Sequence, residues 1–284
     1  MSSLLALALI FCLLPPAASA ADLKIVTRQS INDHDSATFT QYLTASRSRF
    51  ESGRGIDNIA GHRIASIVHH GDTTNRNFTL DLDAHEYTVH ETDKRGIQLG
   101  AKSYPAKYAG GQLDIWIEST DTGDRQEMFG HTARHIITKD RRVPGPGACS
   151  QGSEAEYDGW YIDYSVLPEW RRPTPGVFAI VAGFSGGCRD KIQVHRSGVE
   201  LGFPIKVITT QTQHAGDQRP DEAQKVLSTT SLLEVIEFSE APLDPALFEV
   251  PADFRQVKEL TRMTHPQSLT AWARFKGWLT DIFR

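Results

Sequence analysis

Polar and apolar residues alternate along most of this chain, most clearly over Gly111–Arg142. Leu113, Ile115 and Ile117 alternate with Asp114, Trp116 and Glu118, the period of two of a half-buried strand. Asp121-Thr122-Gly123-Asp124 reads as a tight turn, with Gly123 supplying positive φ at no steric cost. Arg125–Thr138 returns, with Phe129, Ala133 and Ile137 on one side and Met128 and Ile136 on the other. Gly130 interrupts this return as a bulge or bend glycine would. The pattern predicts one long hairpin that organises a β-sheet.

The same period recurs on both sides of it. Leu23–Ser30 predicts an opening strand with Leu23, Ile25 and Thr27 inward, followed by a turn at Asn32-Asp33-His34-Asp35 and a strand over Ala37–Ser46. Gly53–Asn58 reads as a loop, and Ile59–His70 as the strand after it. Phe78, Leu80 and Leu82 hold one phase while Tyr87 and Val89 hold the opposite one. A one-residue shift turns a strand over, so a turn belongs at Asp83–Glu86. Gly96–Gly111 and Arg141–Gly152 read as loops. Tyr157–Tyr164, Gly176–Phe184, Leu201–Gln213 and Gln224–Phe238 read as strands. Asp244-Pro245 opens a single helical turn, Pro251 stops it, and Phe254–Val257 closes a sheet edge.

Both termini depart from this pattern. Residues 1–20 carry no charged side chain and include the apolar run Leu4–Leu14, then Pro15-Pro16 and Ala18-Ser19-Ala20. That is the pattern of a cleaved export signal, and the run falls short of the about 20 apolar residues of a membrane span. The expectation is a mature chain from Ala21 in the periplasm or outside the cell. At the other end, Pro266–Arg284 predicts an amphipathic helix, with Leu269, Trp272, Phe275, Trp278 and Leu279 on one half of the wheel. Such a stripe docks on the sheet, covers an apolar groove or lies at a membrane surface. Its five residues are candidates for ligand contact. The predicted layout is a signal over 1–20, a β-domain over 21–258 with a cysteine-bearing insertion at 141–188, and a terminal helix within 259–284.

Composition narrows the function classes. The chain has 30 Lys and Arg against 35 Asp and Glu, a net charge of −5, without the basic footprint of a nucleic-acid binder. Cys12 falls in the signal, which leaves Cys149 and Cys188. In an oxidising compartment these two predict one disulfide. Nothing in the residue patterns calls for a cofactor or a metal.

Four constellations bear on chemistry. Gly183-Phe184-Ser185-Gly186-Gly187 satisfies G-x-S-x-G, the nucleophile turn of α/β-hydrolases, where a helix follows the serine. Cys188–Gly198 is instead charged and strand-like, which favours a structural turn. The alternative is a serine hydrolase using Ser185, with His265 as base and Asp217 or Asp221 as third member. His131 and His135 have zinc spacing on a helix, but on a strand they stand about 13 Å apart. Asp81, Asp83 and His85 are expected on the solvent side and in the turn, and Asp33-His34-Asp35 as an ordinary polar turn. His69 and His70 point to opposite faces of one strand.

Three stretches carry a resemblance: the Phe78–Val89 hairpin, Thr122-Gly123 with Met128-Phe129-Gly130-His131-Thr132-Ala133-Arg134-His135, and Ala246-Leu247-Phe248-Glu249-Val250-Pro251-Ala252-Asp253-Phe254. Together they resemble exported bacterial domains of the LolA-like superfamily, incomplete β-barrels related to periplasmic lipoprotein carriers. The resemblance spans Asp22–Lys258 and brings no catalytic residues. It implies a strongly curved antiparallel sheet whose concave face holds a lipid, an acyl chain or a lipidated or hydrophobic partner. The function expected is therefore that of a non-enzymatic envelope protein, with peripheral membrane contact through 266–284. An envelope interaction module without a small ligand is a further alternative.

Overall fold

The computed structural model describes residues 22–32, 34–52, 63–93, 108–164, 184–185, 188–214 and 226–261. The expected leader, the expected helix over 266–284 with its five candidates, His265, Asp217 and Asp221, and the Gly53–Asn58 loop lie outside the described residues. The protein is mainly β. The first half holds β1 (Leu23–Ile31), β2 (His34–Leu43), β3 (Arg47–Ser52), β4 (Ile64–His70), β5 (Thr74–Asp81), β6 (Glu86–Asp93) and β7 (Tyr108–Met128). The second half holds β8 (His131–Pro144), β9 (Ser153–Ile162), β10 (Phe184–Ser185), β11 (Cys188–Gly198), β12 (Phe203–His214), β13 (Val226–Ser239) and β14 (Arg255–Gln256).

The 14 strands of the described residues belong to one open sheet, in the order β10-β11-β7-β8-β9-β12-β13-β1-β2-β3-β4-β5-β6-β14. Pairing is antiparallel except at β11 with β7 and β14 with β6, which run parallel. Those two pairs correct the expectation of a purely antiparallel sheet. The sheet bends strongly. Three inter-strand steps separate β8 from β13, about 14 Å in a flat sheet. Yet Phe238 at the end of β13 lies 5.6 Å from the His131 ring and 6.1 Å from that of Phe129.

The organising hairpin is present, but its turn and its bulge exchange places relative to the sequence expectation. The chain reverses at Phe129-Gly130, whose φ values are 52° and 79°, because a two-residue loop that matches strand twist needs positive φ at both positions. Asp121-Thr122-Gly123-Asp124 is instead a bulge within β7, where Asp121 pairs with Ile136 and Arg125 with Arg134. The Asp121 carboxylate holds it, accepting from the Gly123 amide at 2.9 Å and from Arg125 at 2.8 Å. This extra length also breaks the alternation on β8, where Ala133 and Ile136 are both fully buried.

Periodicity and structure agree at several elements, whereas His34 and Asp35, expected in a turn, open β2, and Arg141–Pro144, expected in a loop, extend β8. Leu23 and Ile25 are buried, as are Leu113, Ile115 and Ile117, and β5 turns into β6 through residues 82–85. Asp244 caps a one-turn 3-10 helix, Pro245–Phe248, by accepting from the Ala246 amide. That turn lays Phe248 on Ala65, Ile67, Phe78 and Leu80, a burial worth about 1.5–3 kcal/mol. Arg49 Nη1 fixes it by donating to the Leu247 carbonyl at 2.8 Å. No described helix is long and apolar enough to cross a membrane.

Candidate functional site

The five adjacent strands β11, β7, β8, β9 and β12 present two unlike faces. On one, Leu113, Ile115 and Ile117 pack with Ile192, and Ile136, Tyr161 and Val207 pack with Tyr157 and Leu201. Between these clusters lies a polar patch. Cross-strand register sets Ile117 beside Asp140 and Ser119 beside Thr138, whose hydroxyls share a hydrogen bond of 2.9 Å. Asp140 is only 5% exposed, and Arg142 Nε lies 3.6 Å from its carboxylate. Burial pushes the Asp140 carboxyl up against the opposing pull of Arg142. Burial likewise raises the Tyr157 hydroxyl and takes that of Tyr161 to about 12.

The other face is exposed and charged. His195, Trp116, Arg141, Glu154 and Thr212 form one row across the five strands. Ser197, Glu118, Lys139, Glu156 and Thr210 form the next. The two rows line a hollow of about 690 Å3. The Trp116 ring stacks on His195 at 3.9 Å and 12°, and His195 Nε2 lies 3.2 Å from Asp114 Oδ1. The Gln112 amide, and then His195, hold the Asp114 carboxyl below its ordinary range.

A third arrangement runs from the β7 bulge across β8 to β9. His135 Nε2 lies 2.7 Å from Asp158 Oδ1, and His135 Nδ1 lies 3.0 Å from Thr122 Oγ1. The imidazole stacks on Trp160 at 4.9 Å. A carboxylate–imidazole–hydroxyl chain of this kind can activate an alcohol. Here the Gly123 amide donates to Asp121 and the Asp124 amide to Thr122 Oγ1, so neither is available to an oxyanion. The arrangement ties the bulge to its neighbour.

The residues singled out in the sequence mostly hold structure together. Ser185 lies in β10 opposite Cys188, and a strand, β11, follows it where a nucleophile turn requires a helix. His131 and His135 serve different partners, His131 packing edge-on against Tyr164 and Phe238. Asp81 corrects the expectation of a solvent position: it is fully buried and accepts from the Asp83 and Ala84 amides that build the turn. Asp83 pairs with Arg63, and His85 with Asp253. His69 lies 2.7 Å from the Phe248 carbonyl and His70 3.1 Å from Ser48.

The predicted disulfide joins Cys149 to Cys188, with Cα atoms 6.0 Å apart. Buried Asp190 supports it by accepting from the Cys149 and Ser150 amides at 2.7 and 2.9 Å. Sequence reading assigned Trp116 only to the outer phase of its strand and missed its pairing with His195. That contact depends on the parallel addition of β11 to β7. It also missed Asp140, an acid at an inward position. The usable signal was that Asp140 shares its phase with Ile136 and Thr138.

No family model and no curated protein matches this chain.

Proposed function

We propose that this is an exported, non-enzymatic envelope protein, LolA-like in architecture, that holds an amphiphile: a lipid, an acyl chain or a lipidated partner. The observation that carries this reading is the buried face of β11, β7, β8, β9 and β12. Its apolar files, Leu113–Ile115–Ile117 and Ile136–Tyr161–Val207, flank the polar patch of Asp140, Arg142, Ser119 and Thr138. An acyl chain lies along such a file, while Arg142 and the hydroxyls meet a polar head. The bent, open sheet and the disulfide are consistent with a carrier in an oxidising compartment.

A second reading, an interaction module without a small ligand, draws support from the near-zero exposure of those same aliphatic residues. A face packed this tightly favours a module that meets its partner through other surfaces. Native mass spectrometry of the exported protein separates the two. The carrier reading expects co-purified lipid, and a delipidated sample that takes up a fluorescent fatty acid, more weakly in Arg142→Gln. Folded protein that neither carries lipid nor binds the fatty acid would leave the interaction module.

A further inference from the structure

We infer that the hollow on the exposed face of β11, β7, β8, β9 and β12 binds a short, uncharged oligosaccharide, with Trp116 as its stacking wall. Trp116 is 46% exposed and is held by a stacked neighbour. His195 covers one side of the indole, and Asp114 fixes His195. This preorganises a large apolar plane at a wet surface, where indole gives most contact for least lost side-chain freedom. Arg141 stands opposite Trp116 in the ladder, at the side of the indole away from His195.

The rest of the lining selects the ligand. Glu118, Glu154 and Glu156 supply carboxylate acceptors, and Lys139 and Arg141 supply donors. Cross-strand register sets Glu118 beside Lys139, Lys139 beside Glu156 and Arg141 beside Glu154, so donors and acceptors alternate across the hollow. Three carboxylates against two cations leave the hollow near neutrality, which disfavours polyanions and polycations alike. A pyranose matches this lining: its axial C–H face is apolar and its rim is hydroxyls that both donate and accept. The volume of about 690 Å3 lies within the range of small-ligand sites, about 300–1,000 Å3.

The hollow lies on the opposite face from the proposed amphiphile site, so sugar binding and lipid binding succeed or fail independently. The test is a heteronuclear NMR titration of the exported protein with chitobiose, cellobiose and maltotriose to about 10 mM. The Trp116 indole signal is assigned by its loss in Trp116→Phe. At least one sugar is expected to move it saturably. Trp116→Ala should weaken that affinity by about tenfold or more, and Glu156→Gln by a smaller factor, with the remaining spectrum unchanged. Absence of any shift with all three sugars overturns the inference. So does an affinity that survives Trp116→Ala, or a response obtained only with a charged peptide tested alongside.

Discussion

Asp140 and Arg142 stand two positions apart on the same face of β8, with Arg142 Nε 3.6 Å from the Asp140 carboxylate. The guanidinium does not fully offset the burial of the acid, whose folded-state value is raised. The folded state therefore takes up a proton more readily than the unfolded chain, where an Asp titrates near about 3.9. Stability falls as pH rises from that value through the folded one. Asp140→Asn should remove this decline and raise the melting temperature at neutral pH. Thermal melts of both proteins across the acid range decide it, and parallel curves would count against the assignment.

Glu86 has the opposite sign. The Thr261 hydroxyl and amide donate to its carboxylate at 2.7 and 3.1 Å, Arg255 adds a charged partner, and its folded-state value is lowered. The stability it contributes is complete above the unfolded value of about 4.3 and disappears as pH falls through the folded one. Glu86→Gln should lower stability at neutral pH and flatten the acid side of the profile. Urea titrations at neutral and acidic pH measure both changes. A midpoint loss that is equal at both values would refute the linkage.

The disulfide spans a sequence separation of 39 residues, for which chain-entropy reasoning assigns roughly 4 kcal/mol. Replacing both cysteines by serine should lower the melting temperature while leaving the strand signal in circular dichroism. Two thiols that label freely in native wild-type protein would show that no bridge forms.

Gly130 adopts φ 79° with nothing within 4 Å of the position a Cβ would occupy. Substitution there tests the backbone alone. Gly130→Ala should cost about 1–2 kcal/mol and Gly130→Asn less, since Asn enters the left-handed region more readily. Equal losses for the two variants would mean that packing, not φ, sets the cost.

Most of the sheet was legible because its signal is local. Leu23 with Ile25, and Leu113 with Ile115 and Ile117, announce buried faces by alternation alone. The Asp244-Pro245 cap and the turn between Leu82 and Glu86 follow from two or three residues each. The hairpin reversal was misread because Asp121-Thr122-Gly123-Asp124 has stronger turn chemistry than Phe129-Gly130, where Phe129 carries positive φ against its preference. Tertiary pairing overruled propensity there. The exposed hollow was illegible for another reason. Trp116 and His195 belong to strands whose parallel pairing no local pattern encodes.

Each of β1 to β5 pairs with the next strand in the chain, so these six strands can assemble as soon as they are synthesised. The other partner of β1 is β13, and the ion pair between Lys24 and Glu237 spans 213 residues of sequence. One side of the first strand must therefore stay open until nearly the whole polypeptide has been made. Long-range closure of this kind is slow and leaves a bare strand edge for other chains to join. The seam between Leu23–Ile31 and Val226–Ser239 thus sets a time window in which the unfinished sheet is open to joining a second copy of itself.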